Sequence, residues 1–176
     1  MIKFEKVSFE QFEKDVISLY PLFTKEYIEE IYNNIKLPRR STSGSAGYDF
    51  FAPFDTVLLF EDSDLAKSYR VIPTGIRFIV DNNENVFLNI LPRSGMGFKY
   101  GTNLANTCGI IDSDYFLSEN EGHIMVKLGT KFAAAPIIRG KAFVQGIILP
   151  YYTVDNEENV KETRNGGFGS TDANKV

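Results

Sequence analysis

Apolar residues recur at intervals of three and four between Ser8 and Ile35: Phe9, Phe12, Val16 and Leu19, then Tyr27, Ile28, Ile31, Tyr32 and Ile35. That spacing follows the 3.6-residue helical turn and predicts an amphipathic helix with one face toward a core. Pro21 interrupts the pattern. Proline lacks an amide donor and clashes with the preceding turn, so two helices are expected rather than one. Ser8 followed by Gln11 has the form of a capping box, and Thr24 is placed to start the second helix.

Beyond Leu37-Pro38 the helical spacing stops and short β-rich blocks take over: Phe50–Phe51, Thr56–Phe60, Arg70–Val80, Asn85–Leu91, Ile124–Leu128 and Ala142–Tyr152. Gly, Pro, Asn and Asp break them apart, which predicts an all-β barrel or sandwich carrying an N-terminal helical extension. No internal repeat is evident. The tail from Asn165 is rich in Gly, Ser and Thr.

A chain of 176 residues suits one domain with decoration. Its 19 Lys+Arg against 23 Asp+Glu give a net charge of -4, which argues against coating duplex phosphates by bulk electrostatics. Stable nucleic-acid binding is therefore not expected, and any phosphate must be held by local groups. One cysteine, Cys108, and one histidine, His123, exclude a disulfide framework and a Cys/His zinc site. A metal would be a hard cation on oxygen ligands. The opening MIKFEKVSFEQFEKD contains no apolar run long enough for a signal peptide or a membrane span, so a cytoplasmic protein is expected.

Between Leu91 and Tyr115 lies a density of polar chemistry flanked by apolar blocks: LPRSGMGFKYGTNLANTCGIIDSDY. Asp112 follows the apolar pair Ile110-Ile111, where a carboxylate on a rigid turn can act as a base toward water. An isolated Asp-x-Asp more often only closes a turn on its own backbone. Arg93, Ser94 and Gly95 offer a guanidinium fork, a hydroxyl and main-chain amides that can converge on phosphate oxygens from a turn. The glycines from Gly166 onward let a backbone wrap a phosphate closely, but no Gly-Lys-Ser/Thr makes this a Walker A loop.

Five short segments occur in order: AGYDFFA (46–52), PRSG (92–95), NTCGIIDSDY (106–115), GKAFVQG (140–146) and RNGGFGST (164–171). In these the chain resembles the trimeric all-β dUTP nucleotidohydrolases, over roughly Leu37 to Thr171. The resemblance implies a distorted β-barrel or jelly roll over 37–163, a helical extension over 1–36, and a Gly-rich arm over 164–176 that closes a site. It implies hydrolysis of dUTP to dUMP and pyrophosphate with Mg2+, in homotrimers whose sites are shared between subunits. Asp112 would activate the water that attacks the α-phosphorus. Tyr115 would lie beneath the deoxyribose and exclude a 2'-hydroxyl. Asn106 and the backbone at Gly109 would read uracil. Arg93, Ser94, Gly95 and Gln145 would contact the phosphates. Arg164 would neutralise the γ-phosphate, with Phe168 over the base and Gly169 and Ser170 completing the arm. Asp49 would hold Mg2+ through water.

Some positions depart from the family. Thr107-Cys108 stands where Gly-Val is common, which bears on the hairpin geometry. Lys141, Ala142 and Phe143 stand where an acidic residue, an Arg and an Ile are frequent; Arg139 is the nearest cation that could compensate. Asp172 replaces a glycine. Phe116–Glu121, FLSENE, is an insertion expected as an exposed hairpin extension, either a neutral loop or a partner surface. Two alternatives stay open: a dCTP deaminase of the same fold, which needs a catalytic glutamate in the pyrimidine pocket, and a dUTP-sensing module that signals to a protein partner. The source, cellular, phage or viral, is undetermined, and a phage or viral protein would work in the infected host cell.

Overall fold

Alternation in the segment Val86–Pro92 puts Leu88 and Ile90 into the interior and leaves Phe87, Asn89 and Leu91 half-buried, the two-residue period of a strand with one face on a core. In the computed structural model, which describes residues 1–60, 69–81 and 84–156, this strand is β7. It pairs antiparallel along its whole length with β12 (Ala142–Pro150), from Val144↔Pro92 to Pro150↔Val86. With β2 (Arg39–Arg40), β3 (Tyr48–Phe51) and β9 (Gly109–Ile111) they form a five-stranded sheet in the order β2-β3-β12-β7-β9.

The block expected at 70–80 is broken at Thr74-Gly75 into β5 (Arg70–Pro73) and β6 (Ile76–Val80). Gly75 turns the chain with φ +71, a left-handed angle that suits glycine. The two halves then join different sheets. β5 pairs with β10 (Met125–Gly129), which also holds β8 (Asn103–Leu104), while β6 pairs with β1 (Ile2–Lys6). β4 (Thr56–Leu58) pairs with β11 (Ala135–Ile137). Their inner faces share one core that includes Phe50, Leu58, Ile72, Phe78, Leu88, Leu128 and Phe143. The fold is thus all-β, with twelve strands among the described residues.

Both expected helices are present, as α1 (Phe9–Leu19) and α2 (Lys25–Asn33). They bury Phe12, Val16, Ile28 and Ile31 completely around Phe54 of the barrel. At roughly 1.5–3 kcal/mol for each buried side chain, that face holds the helices firmly on the β-domain. The segment before them is not helical: Ile2–Lys6 is a barrel strand, since its alternation matches the inner and outer faces of β6.

Helix caps follow the sequence in part. The Thr24 hydroxyl accepts from the Tyr27 amide (3.3 Å), and the Ser8 hydroxyl from the Gln11 amide (3.1 Å). The return arm of the capping box differs from expectation. Gln11 donates instead to Asp15 (2.7 Å), and the Ser8 amide donates to Glu121 of the insertion (2.8 Å). The insertion is accordingly not an exposed hairpin. Tyr115–Leu117 forms a 3-10 turn, Ser118 is buried, and Glu121 (φ 57) and Gly122 (φ 72) wind back left-handed so that the carboxylate caps α1.

Candidate active site

The candidate site residues fall into two groups. The first gathers where β3, β12 and β7 run side by side, because Gln145 pairs in register with Asp49 on one side and Leu91 on the other. Asp49 bonds Arg93 (Oδ1 to Nε, 3.0 Å) and accepts from the Ser41 hydroxyl (2.7 Å). Arg93 also donates to the Ala142 carbonyl (3.4 Å), and Gln145 donates to the Pro92 carbonyl (3.3 Å). Gly47 makes room for Gln145: a Cβ there would stand 2.5 Å from Gln145 Oε1. The expected Arg-Ser-Gly turn is instead a helix start. Arg93 precedes α3 (Ser94–Tyr100) with its carbonyl accepting from the Met96 and Gly97 amides, and Ser94 and Gly95 are exposed.

The second group surrounds a cavity of about 430 Å³ at the turn that joins β8 to β9; the expected hairpin is absent here, because β8 pairs with β10 and β9 with β7 rather than with each other. Apolar Ile90, Leu104 and Ile124 line its depth, and Asn106, Cys108, Gly109 and Tyr115 line it as well. Thr107 occupies the tip with φ 68, its amide donating to the Leu104 carbonyl (3.2 Å). The turn therefore keeps the backbone angle glycine would give, at the cost of a β-branched residue in left-handed backbone. Gly109 lies against Ile90, with only 3.1 Å available for a Cβ.

Tyr115 is 5% exposed. Its phenol accepts from the Asn120 amide (2.9 Å) and donates to the His123 carbonyl (3.4 Å). Burial pushes that phenol above its ordinary pKa, so it keeps its proton at neutral pH. Asp112 is half-buried between Ile111 and Tyr115, two residues that line the cavity. The turn here is closed by main chain: the Asp112 carbonyl accepts from the Tyr115 amide (3.1 Å) and the Asp114 carbonyl from the Leu117 amide (3.0 Å).

The strand register sets the distance between the groups. β9 runs antiparallel to β7 with Gly109 opposite Ile90 and Ile111 opposite Leu88, so Asp112 continues past Phe87. Arg93 lies six positions farther along the same strand, about 20 Å at the rise of an extended chain. One chain therefore does not unite the Asp112 group with the Arg93 group. Arg139 joins neither, being paired with Glu30 of α2 (2.8 Å). Arg164, Phe168, Gly169 and Ser170 lie outside the described residues. Ser41, Asn120 and His123 are not among the site residues expected from sequence: His123 bonds Asp15 and Gly75 across long stretches of chain, while Ser41 and Asn120 bond Asp49 and Tyr115 within eight positions but at spacings that belong to no helical or strand period.

No group of three or more His, Cys, Asp or Glu side chains that could hold a metal gathers among the described residues. Asp49 is a single carboxylate, 14% exposed and already bonded twice, a donor that fits an ion held through water on a polyanionic ligand rather than one caged by protein.

A family model described as dUTPase matches residues 33–172. The deoxyuridine 5'-triphosphate nucleotidohydrolase of Lactococcus lactis is 37% identical over 142 residues, covering 79% of this chain and 89% of that protein. That of Blochmanniella floridana is 45% identical over 121 residues, covering 66% and 72%. Among solved structures, the dUTPase of Streptococcus mutans superposes with a TM-score of 0.62 at 26% identity, covering 88% of this chain and 99% of that one. A dUTPase from phage phi11 of S. aureus is alike in fold, with a TM-score of 0.59 at 16% identity, covering 92% and 97%, and its structure describes a structural Mg(II) ion.

Proposed function

The chain belongs to the dUTPase family and hydrolyses dUTP to dUMP and pyrophosphate, and we propose that Asp112 supplies the base of that reaction. What supports the assignment is that Asp112 directly follows Ile111 and its carbonyl accepts from the Tyr115 amide, and both of those neighbours line the 430 Å³ cavity. Uracil enters the cavity between Asn106 and the main chain at Gly109, and the deoxyribose rests on the Tyr115 ring. A polar pocket built for one pyrimidine edge leaves buried groups unpaired with the other, a penalty of about 10⁴ to 10⁵ in selectivity. A 2'-hydroxyl is refused by volume, since the ring is already packed. Asp112 then takes the proton of a water aimed in line at the α-phosphorus, and pyrophosphate leaves. No glutamate lines the cavity among the described residues, which disfavours base deamination.

Arg93, Ser94, Gly95 and Gln145 hold the phosphates, with Arg164, Phe168, Gly169 and Ser170 closing over them. The Asp49–Arg93 pair suits this task. With the guanidinium 42% exposed, the bond is worth at most about 1 kcal/mol and is readily exchanged for a phosphate. A divalent cation, taken here as Mg2+, would be carried on the triphosphate with Asp49 toward its water shell, and when bound it neutralises phosphate charge. Because about 20 Å of β7 separates Asp112 from Arg93, a complete site needs two copies of the chain, and a homotrimer with shared sites is the assembly we favour. No described helix is long and apolar enough to cross a membrane, and we place the enzyme in the cytoplasm.

Pyrophosphate release measured across the dNTPs and UTP tests this reading. Turnover of dUTP alone is expected. Asp112→Asn should stay folded and lose about 10² to 10⁴ of the rate, as for removal of a general base. Near-normal turnover by that variant refutes the assignment.

A further inference from the structure

The inserted segment 116–121 and helix α1 meet at Tyr115. The Asn120 amide is oriented unambiguously: its Oδ1 accepts from the Gly122 amide (3.1 Å), so its Nδ2 is the group that donates to the Tyr115 phenol (2.9 Å). The phenol is then left with its own proton to give, and it gives it to the His123 carbonyl (3.4 Å). Neither partner is free to move. His123 is completely buried; the Gly75 amide donates to its Nε2 (2.8 Å), which fixes the ring as the Nδ1–H tautomer donating to Asp15 of α1 (2.6 Å). Asn120 is pinned by the turn that follows it, where Glu121 and Gly122 are both left-handed and the Glu121 carboxylate accepts from the Ser8 amide. A Cβ on Gly122 would stand 2.5 Å from the Phe116 Cα, so the turn packs tightly on the start of the insertion and admits only glycine there.

We propose that Asn120 is a positioning residue for substrate selection: with α1 and the His123–Asp15 pair behind it, it holds the Tyr115 ring at the height that admits a deoxyribose and refuses a ribose. This rests on the role given above to Tyr115. The phenol is not asked to react. Its two bonds fix the ring against rocking about its own side-chain torsions, which would otherwise open room for one additional oxygen. The N-terminal helices and the insertion, both peripheral to the five motifs, thereby act on dUTP selectivity rather than serving only as a cover for the barrel.

The test is kcat and KM for dUTP and UTP in the full chain, for Asn120→Ala, Tyr115→Phe and the double variant. Removing one hydrogen bond to a neutral phenol corresponds to about a 3- to 10-fold effect. Asn120→Ala should raise the UTP-to-dUTP ratio of kcat/KM by that factor, chiefly through a lower KM for UTP, with kcat for dUTP little changed. In the Tyr115→Phe background the same substitution should add nothing. If Asn120→Ala fails to fold, Asn120→Ser keeps a short side-chain oxygen for the Gly122 amide and withdraws the donor from the phenol, and the same shift is expected. An unchanged ratio in a folded variant overturns the proposal, as does an equal effect in the presence and absence of the phenol. Wild-type enzyme that hydrolyses UTP as well as dUTP would overturn the role of Tyr115 itself, and the proposal with it.

Discussion

Asp112 and Arg93 stand at opposite ends of β7, about 20 Å apart along one strand whose register with β9 leaves no slack. A base and a phosphate ligand at that spacing cannot serve one α-phosphorus within a single chain. Copies carrying Asp112→Asn and copies carrying Arg93→Ala should therefore each be inactive, yet complement when co-expressed. If each site takes its base from one subunit and its guanidinium from another, about a quarter of the sites in a randomly mixed oligomer hold both intact residues. Pyrophosphate release at that fraction of wild-type rate is the expected result, and no recovery on mixing would speak for a site within one subunit.

Thr107 sets up a second expectation. Its φ of 68 places a β-branched side chain where glycine or asparagine is at ease. Left-handed backbone costs an ordinary residue about 1–2 kcal/mol, and replacing it with glycine gives back part of the gain as unfolded-chain entropy, about 0.5–1 kcal/mol. Thr107→Asn, which tolerates the angle without that entropy cost, should raise the urea midpoint most, Thr107→Gly less, and Thr107→Val not at all. The exposed position makes any other source of stabilisation small.

The helical period of 8–35, the break at Pro21 and most of the longer strands could be read because apolar spacing repeats within one element. The third motif named Asn106, Gly109 and Tyr115 of the cavity lining, and the first, second and fourth named Asp49, Arg93 and Gln145, which meet where β3, β12 and β7 run side by side; the fifth lies outside the described residues. Strands as short as Arg39–Arg40 and Asn103–Leu104 carry too few positions for any period. The strand Ile2–Lys6 alternates but adjoins a strong helical signal, and only its partner β6 reveals it. The insertion was misread because its anchor is tertiary: Glu121 meets Ser8 across 113 positions. The same is true of Asp15 and His123. Capping-box logic supplied the right donor at Ser8 and the wrong acceptor.

Two glycines separate function from stability. A Cβ on Gly47 meets Gln145 Oε1 at 2.5 Å, the far end of a flexible side chain that can swing away. Gly47→Ala should leave the fold within about 0.5 kcal/mol of wild type while raising KM for dUTP, because the displaced amide no longer faces the phosphates. A Cβ on Gly122 instead meets main chain, the Phe116 Cα at 2.5 Å, and the residue has φ +72. Gly122→Ala should cost roughly 1–3 kcal/mol or more of stability. Thermal unfolding and steady-state kinetics on both variants separate the two effects, and equal loss of stability would contradict the contact geometry.

Glu121 gives a pH dependence with a definite sign. Burial pushes its carboxyl upward, but the Ser8 hydroxyl and amide and then Arg77 outweigh it, and the net result lies below the ordinary value of 4.5. A carboxyl depressed in the folded state binds its proton more weakly there than in the unfolded chain. Its contribution is thus fully present above the ordinary value and is lost as pH falls through the lowered one. The ionised form is what caps α1, accepting from the Ser8 amide at 2.8 Å and its hydroxyl at 2.5 Å. Glu121→Gln keeps an oxygen for that cap but has nothing to titrate. Denaturant unfolding should find the variant less stable than wild type by a constant amount above pH 4.5, with the two curves converging as the pH drops below it. Glu5, depressed by its bonds to Lys3 and Arg77, leaves some acid dependence in both proteins. Parallel curves down to the acid limit would mean that the Glu121 charge contributes nothing to the junction between α1 and the wall of the cavity.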